Sequence, residues 1–397
     1  MSRTDRTVCL GLGLFIGALA LMMTTACREW RKRHHELVAA SKRGPEFPRE
    51  LKFERIKVTL PDVEWVDMPN GAVLCLLPSS PESNGSRPGQ NADCAPANQG
   101  KPFGAVPLVH VTARVFAGSV CDRPESKGLA NVTAEAIRLG GSRSLTGEAL
   151  AEEIEFLGAD LGVSVSEEWV DFSISGHSRH CRRFLQMLTG LIFDPALPAD
   201  KLDLCKGLLA ETFRRENDRP GDIAQREFMR QIFPDHPYGW RTVGDAETVK
   251  AIEMDQVAAF HKRNYTPARL LVGIAGDFDA ESVRNELRAL LPTGVIGEAE
   301  SDFIPRVPAA EPAPGAGIVA AAYRKLPQTS IALGHPGVER KHPDYFKLTV
   351  LNALLGGATS RLRDRVRTKL GLTYAISGRF SFMSVAGYFS VSTSTKT

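Results

Sequence analysis

The chain has 397 residues, 43% hydrophobic and 24% charged, which is enough for two or three domains with real cores. Its 49 basic and 46 acidic residues leave a net charge of +3, and the only basic run in the body is SRLRDRVRTK near the end, which argues against a nucleic-acid partner. None of the cysteines falls in CxxC spacing, so neither a cysteine metal cluster nor a closed disulfide framework is expected.

Arg3 and Arg6 precede an apolar run from Val8 to Met23, and TTAC follows, ending at Cys27: the layout of an export signal. Small residues before a cysteine resemble a bacterial lipoprotein processing site, with Cys27 as the lipidated residue. Thr24 departs from that pattern, and REWRKRHH directly afterwards opposes translocation, so an uncleaved membrane anchor and a non-functional start stay open beside lipidation. The implied location is the bacterial cell envelope, membrane-attached and facing the periplasm, with an inner-membrane anchor as the alternative. We assign 1–27 to the signal and 28–50, basic and polar, to a tether.

The folded part starts near Leu51. GAVLCLLP (71–78) and PLVHVTARVFAG (107–118) read as strands, separated by a loop insert at 79–104 rich in Pro, Gly, Ser and Asn. GLANVTAEAIRLGG (128–141) reads as a short helix closed by a glycine pair. TGEALAEEIEFLGA places Leu150, Ile154 and Leu157 on one helix face, and Gly158 stops it. WVDFSISG alternates as a half-buried strand. Helices follow through Phe184 to Ile192 and from about Asp200 to Asn217, ended before Pro220. A helix over Glu247 to Lys262 leads to the strand ARLLVGIAGDFD and the helix AESVRNELRALLP. Cys181 and Cys205 read as small buried hydrophobes, while Cys94 could pair with Cys75 or Cys121 in an oxidising compartment.

The chain repeats itself. EAIRLGGSRS (135–144) resembles NALLGGATS (352–360), and DFSISGHSRH (171–180) resembles YFSVSTSTKT (388–397), at nearly one offset. The expected fold is α+β, with duplicated α/β-roll halves, each a mainly antiparallel sheet covered by helices. The halves are 51–302 and 318–397, joined by a proline-rich linker at 303–317. The second half stops at the counterpart of His180, so we expect it to be incomplete and the chain to be a fragment of a longer protein.

Strand, loop, strand and helix, duplicated, together with DHPYGWRTVGDAETVKAI, YTPARLLVGIAGDFD and SRLRDRVRTKLGLTYAIS, resemble the pitrilysin/insulinase family of zinc metallopeptidases, the inverzincins. In that family the helix after the second strand carries H-x-x-E-H: two histidines four residues apart grip one zinc ion, and the glutamate between them polarises the bound water. GLANVTAEAIRLGG aligns with it, placing Asn131 and Glu135 at the histidine positions and Ala134 at the general base. Asparagine is a poor zinc ligand, and alanine accepts no proton. Glu211 keeps the family's spacing for the third ligand. We read Glu135 and Glu211 as leftovers on a solvated helix face rather than as a hard-cation site, which would need more oxygen ligands. His177 and His180 read as surface residues and His236 as part of a structural turn.

Arg367 and Tyr374, seven residues apart, match the family's Arg/Tyr pair that holds the peptide carbonyl and stabilises the tetrahedral oxyanion. Arg363 and Arg365 read as solvated helix face. The resemblance implies a subunit without its own cofactor, like the zinc-less chain of two-subunit members such as the mitochondrial processing peptidase. Its expected partners are a homologous zinc-bearing subunit, an extended peptide substrate, and the membrane through the N-terminal lipid or anchor. The competing readings are a non-catalytic binding or scaffold protein, and a peptidase with an unusual metal site.

Overall fold

A computed structural model describes residues 63–79, 106–293, 307–310, 320–322, 328–357 and 360–396. The chain divides into two compact units, Met1–Leu60 and Pro61–Thr397, and every described residue belongs to the second. The leader with Cys27, the tether, Cys94 and nearly all of the 79–104 insert lie outside the described residues, as does the linker apart from 307–310.

The first sheet has six strands: β1 (Glu64–Asp67), β2 (Val73–Pro78), β3 (Leu108–Val115), β4 (Asp160–Val165), β5 (Val170–His177) and β6 (Leu270–Gly276), in the order β1-β2-β6-β3-β5-β4. All neighbours are antiparallel except β2 and β6, where Val73 lies beside Leu271 in a parallel pair. Alternation decides the buried face. Val109, Val111, Ala113 and Val115 of β3, and Val170, Phe172 and Ile174 of β5, point into the core, and the residues between them face outward. On the outer face Arg114 grips Asp171 with two bonds of 2.7 and 2.8 Å and lies 4.2 Å over the Trp169 ring.

Eight helices follow: α1 (Leu129–Gly140), α2 (Gly147–Phe156), α3 (Cys181–Phe193), α4 (Ala199–Asn217), α5 (Pro220–Ile232), α6 (Ala246–Ala251), α7 (Met254–Asn264) and α8 (Ala280–Leu290); α5 packs on a second sheet, and the others form the layer over the inner face of the first. The α3 face of Phe184, Leu188, Leu191 and Ile192 is almost fully enclosed. Cys181 and Cys205 are buried free thiols, as expected, and Cys75 and Cys121 are also free. The helix expected over Glu247 to Lys262 is in fact two, α6 and α7. The break at Ile252 arises because Asp245 and Glu253 each open a capping box, with Thr248 and Gln256 as the reciprocal partners. Helix α5 and strand β4 lay beyond the sequence reading. Pro220, taken as a terminator, is the first residue of α5, where a missing N–H costs nothing.

The second sheet consists of β7 (Gln328–Gly337), β8 (Ile376–Phe382) and β9 (Gly387–Lys396) in the order β7-β9-β8, the same order as β3-β5-β4. The duplication expected from sequence is thus present in the topology. Helix α9 (Tyr345–Gly356) occupies the place of α1 and packs on β8, with Asn352 Oδ1 accepting from Phe380 N at 3.0 Å. Its residues Phe346, Val350 and Leu354 are exposed, whereas Ala130 and Ala134 at the first two of those places on α1 are fully buried beneath neighbouring helices. The two sheets meet where Phe228 and Phe233 pack on Tyr388. Beside that contact the buried Glu168 carboxylate accepts from Tyr238 Oη at 2.5 Å and from Ser384 N at 3.0 Å. Among the described residues no helix is long and apolar enough to cross a membrane.

Helix α1 has no cap of its own. Gly128 precedes it at φ +93°, and the Asp122 carboxylate accepts from Gly128 N and Ala130 N, both at 2.8 Å. Burial pushes the Asp122 carboxyl up from 3.8 to about 7 against the pull of these amides. A carboxyl with a raised folded-state pKa contributes stability that is full below about pH 4 and is lost as the pH rises to about 7. The melting temperature of the wild type relative to that of Asp122→Asn should therefore fall between those limits in thermal unfolding; a constant difference would contradict the burial.

Candidate functional site

Leu129, Val132, Ala136 and Ile137 recur at helical spacing and bury one side of α1, which fixes where its remaining positions point. Gly141, at φ +74°, closes the helix by donating its N–H to Ile137 O. On this frame Asn131, Ala134 and Glu135 take the three places assigned from sequence. Ala134 is 0% exposed, and Asn131 Oδ1 is buried with no hydrogen-bond partner. Glu135 is held by its own helix: Arg138 Nε donates to Glu135 Oε2 at 2.9 Å, and Arg138 Nη2 lies 2.8 Å from the same oxygen.

Helix α4 runs beside α1 and carries Glu211. This carboxylate is also engaged, by Arg215 Nε at 3.0 Å and Arg214 Nη1 at 3.7 Å. Cys205 of α4 is buried, and burial, with the Glu135 charge second, pushes its thiol up to about 12. Among the described residues no three His, Cys, Asp or Glu side chains gather as a metal site.

These residues do not fit a zinc ion. The donor set is one amide and two carboxylates, each carboxylate already neutralised by arginine, and no group at position 134 can take a proton. The arginines were the part missed from sequence. Their signal was present in the spacing, since Arg138 follows Glu135 by three residues and Arg215 follows Glu211 by four.

The histidines are accounted for by local structure. His236 is buried in its turn, where Nδ1 accepts from Tyr238 N at 3.1 Å and Nε2 lies 2.9 Å from Pro308 O. His177 and His180 are partly exposed where β5 ends.

In the second half, the helix Arg361–Arg363 continues as a π-helix, Asp364–Lys369, in which Leu370 N donates to Arg365 O. Gly371 turns the chain at φ +63°. Tyr374 lies in the segment between Gly371 and β8. Hydroxyls pin that segment, with Thr373 Oγ1 donating to Ser394 O at 2.6 Å and Thr395 Oγ1 to Leu372 O at 2.9 Å. The result brings Arg367 and Tyr374 together, the guanidinium carbon 4.5 Å from the ring centroid, with Tyr374 81% exposed. No hydrogen bond or ion pair among the described residues joins this pair to the α1 positions.

Comparison with known proteins places these features in context. The sequence family described as peptidase M16 inactive domain matches residues 251–397. An uncharacterized zinc protease of Rickettsia bellii is 25% identical over 289 residues, covering 72% of this chain and 68% of the relative. Another, from Streptomyces coelicolor, is 26% identical over 284 residues, covering 68% of this chain and 60% of the relative. The crystal structure of a peptidase M16 inactive domain from Pseudomonas fluorescens superposes with a TM-score of 0.69 at 25% identity, covering 84% of this chain and 74% of that one.

The enclosure of Ala134 can be tested by substitution. Ala134→Glu alone places a carboxylate where there is neither solvent nor a cation, and should cost roughly 3–5 kcal/mol in denaturant unfolding without creating peptidase activity. A fully stable variant would show that the helix still faces open space at this position.

Proposed function

From the similarity of residues 251–397 to the M16 peptidase inactive domain and of the fold to a solved domain of that kind, we propose that this chain is the non-metal subunit of a two-chain peptidase. It binds an extended peptide and supplies Arg367 and Tyr374 to the site of a zinc-bearing homologous subunit. The observation that carries the reading is the contrast between the two walls. On α1 the places for metal and base are filled by Asn131, Ala134 and an internally neutralised Glu135, while a half-buried Arg367 lies against the exposed ring of Tyr374.

The chemistry asked of this chain is donation of hydrogen bonds. A guanidinium and a phenol aimed at a peptide carbonyl hold it in the ground state and hold it more tightly as negative charge develops on its oxygen. The stacked arrangement pre-orders both donors, because the cation fixes the ring and the ring fixes the cation. The zinc, when bound by the partner, supplies the activated water.

Extended-peptide binding has its own support. Strand β4 is the terminal strand of the six-stranded sheet, so its outer backbone groups are available for a further strand. The proposal keeps the chain at the cell envelope, facing the periplasm and attached through Cys27 or an uncleaved apolar anchor. The support is Arg3, Arg6, the apolar run and TTAC.

Co-purification with a homologue that carries an intact H-x-x-E-H should yield peptide hydrolysis that neither chain shows alone. In that complex Arg367→Ala or Tyr374→Phe should lower kcat by about 10²–10³ with the complex still assembled. Unchanged turnover would remove the catalytic role and leave a scaffold.

A further inference from the structure

Tyr374 is 81% exposed, and among the described residues the Arg367 guanidinium is its ring partner, so packing against the body of the protein does not set where its phenol stands. The backbone of Leu372 to Ala375 sets it instead, and that backbone is tied on two sides. Towards the helix, Gly371 N donates to Arg367 O and Leu372 N to Val366 O, both at 3.1 Å. Towards the sheet, the ladder of β8 with β9 begins only at Ile376, opposite Thr393, and threonine hydroxyls carry the attachment beyond it. Half-buried Thr373 donates from Oγ1 to Ser394 O at 2.6 Å, and Thr393 Oγ1 lies 2.9 Å from both Thr373 Oγ1 and Ala375 O. Thr395 Oγ1 donates to Leu372 O at 2.9 Å. The residues on either side of Tyr374 are thus both held from β9.

The first half makes the same connection without hydroxyls. Helix α2 runs into β4 through backbone bonds, Gly158 N to Glu155 O and Ala159 N to Ile154 O, both at 3.0 Å. Counting from the matched Phe172 and Phe389, Gly176 of β5 stands at the place of Thr393. Phe156, at the end of α2, is 87% exposed although α3 to α8 complete that half. An open turn at this place therefore belongs to the fold, and the threonines are an addition to it.

We propose that Thr373, seated by Thr393 and Thr395, is the positioning residue for Tyr374. A hydroxyl that reaches from an irregular segment to a strand carbonyl confines the flanking peptide, which an exposed side chain cannot do for itself. With the backbone confined, the Arg367 guanidinium, 4.5 Å from the ring centroid, selects one orientation of the ring. Both donors then meet a peptide carbonyl without reordering, and a misplaced phenol lowers turnover more than binding. That the positioned phenol serves hydrolysis rests on the proposed role of Arg367 and Tyr374; that the threonines place it does not.

The experiment replaces the tyrosines of the full chain with fluorotyrosine and follows their fluorine NMR signals, that of Tyr374 being identified by its loss in Tyr374→Phe. Arg367→Ala should shift this signal. Thr373→Val, which removes the hydroxyl, should shift or broaden it, and Thr373→Ser, which keeps a hydroxyl, should leave it at the wild-type position. Thr393→Val should move it in the same direction by a smaller amount. In the complex with a zinc-bearing homologue, Thr373→Val should lower kcat about tenfold with KM within about twofold, and Thr373→Ser should retain turnover. A Tyr374 signal unmoved by both valine variants overturns the inference. So does a change in every tyrosine signal at once, since the threonines would then hold the fold rather than the ring. The outcomes separate the two readings. An unmoved signal with Arg367-dependent hydrolysis sinks the role of the threonines alone, and a signal that follows the hydroxyl with Arg367-independent hydrolysis sinks the catalytic subunit alone.

Discussion

The Glu168 carboxylate is the point on which the arrangement of the second half depends. It is buried, and it draws together three segments remote in sequence: its own turn before β5, Tyr238 in the turn after α5, and the amide of Ser384 between β8 and β9. A buried carboxylate without donors is costly, so each donor is held in place by the cost of losing it. The aromatic contacts around Tyr238 and Tyr388 exclude water from the junction and strengthen both bonds. The sheet that carries Arg367 and Tyr374 is thereby seated on the first half through defined polar contacts as well as apolar packing.

In the first half two carboxylates on neighbouring helices, Glu135 and Glu211, are each held by an arginine of their own helix. A cation between two carboxylates and a helix face normally balances their repulsion. Here Arg138 and Arg215 perform that balancing from within their own helices, at spacings that cost no reorganisation of the backbone. These are partly exposed pairs, so their contribution to stability is small. Their effect on the local field is larger, because each carboxylate presents a neutralised pair where a bare ligand would be. Ala134 is fully buried, so a larger side chain there would meet close-packed neighbours.

Much of this was legible in the sequence, and for identifiable reasons. The frame of α1 could be read because Gly128, Gly141 and the apolar spacing between them specify a helix independently of context, whereas Arg367 and Tyr374 were singled out only by the family resemblance. Helix α5 escaped because a proline can start a helix as well as stop one. The two-helix structure at Ala246–Asn264 escaped because capping boxes act through side chains that look merely polar in a string of letters. Strand β4 buries little and alternates weakly, so its existence depends on pairing with β5 rather than on its own residues.

The pairing of β2 with β6 bears on how the molecule is made. Val73 and Leu271 sit side by side in the middle of the first sheet, yet everything that builds β3, β4, β5 and helices α1 to α7 lies between them along the chain. Closing so long a loop is entropically slow, and until it closes both strands present unpaired edges. A ribosome delivers β2 long before β6, so the nascent chain must wait with an open sheet. The strand that completes the sheet is therefore the last of its six to be made, and the cohesion of the whole first half waits on that single parallel pairing.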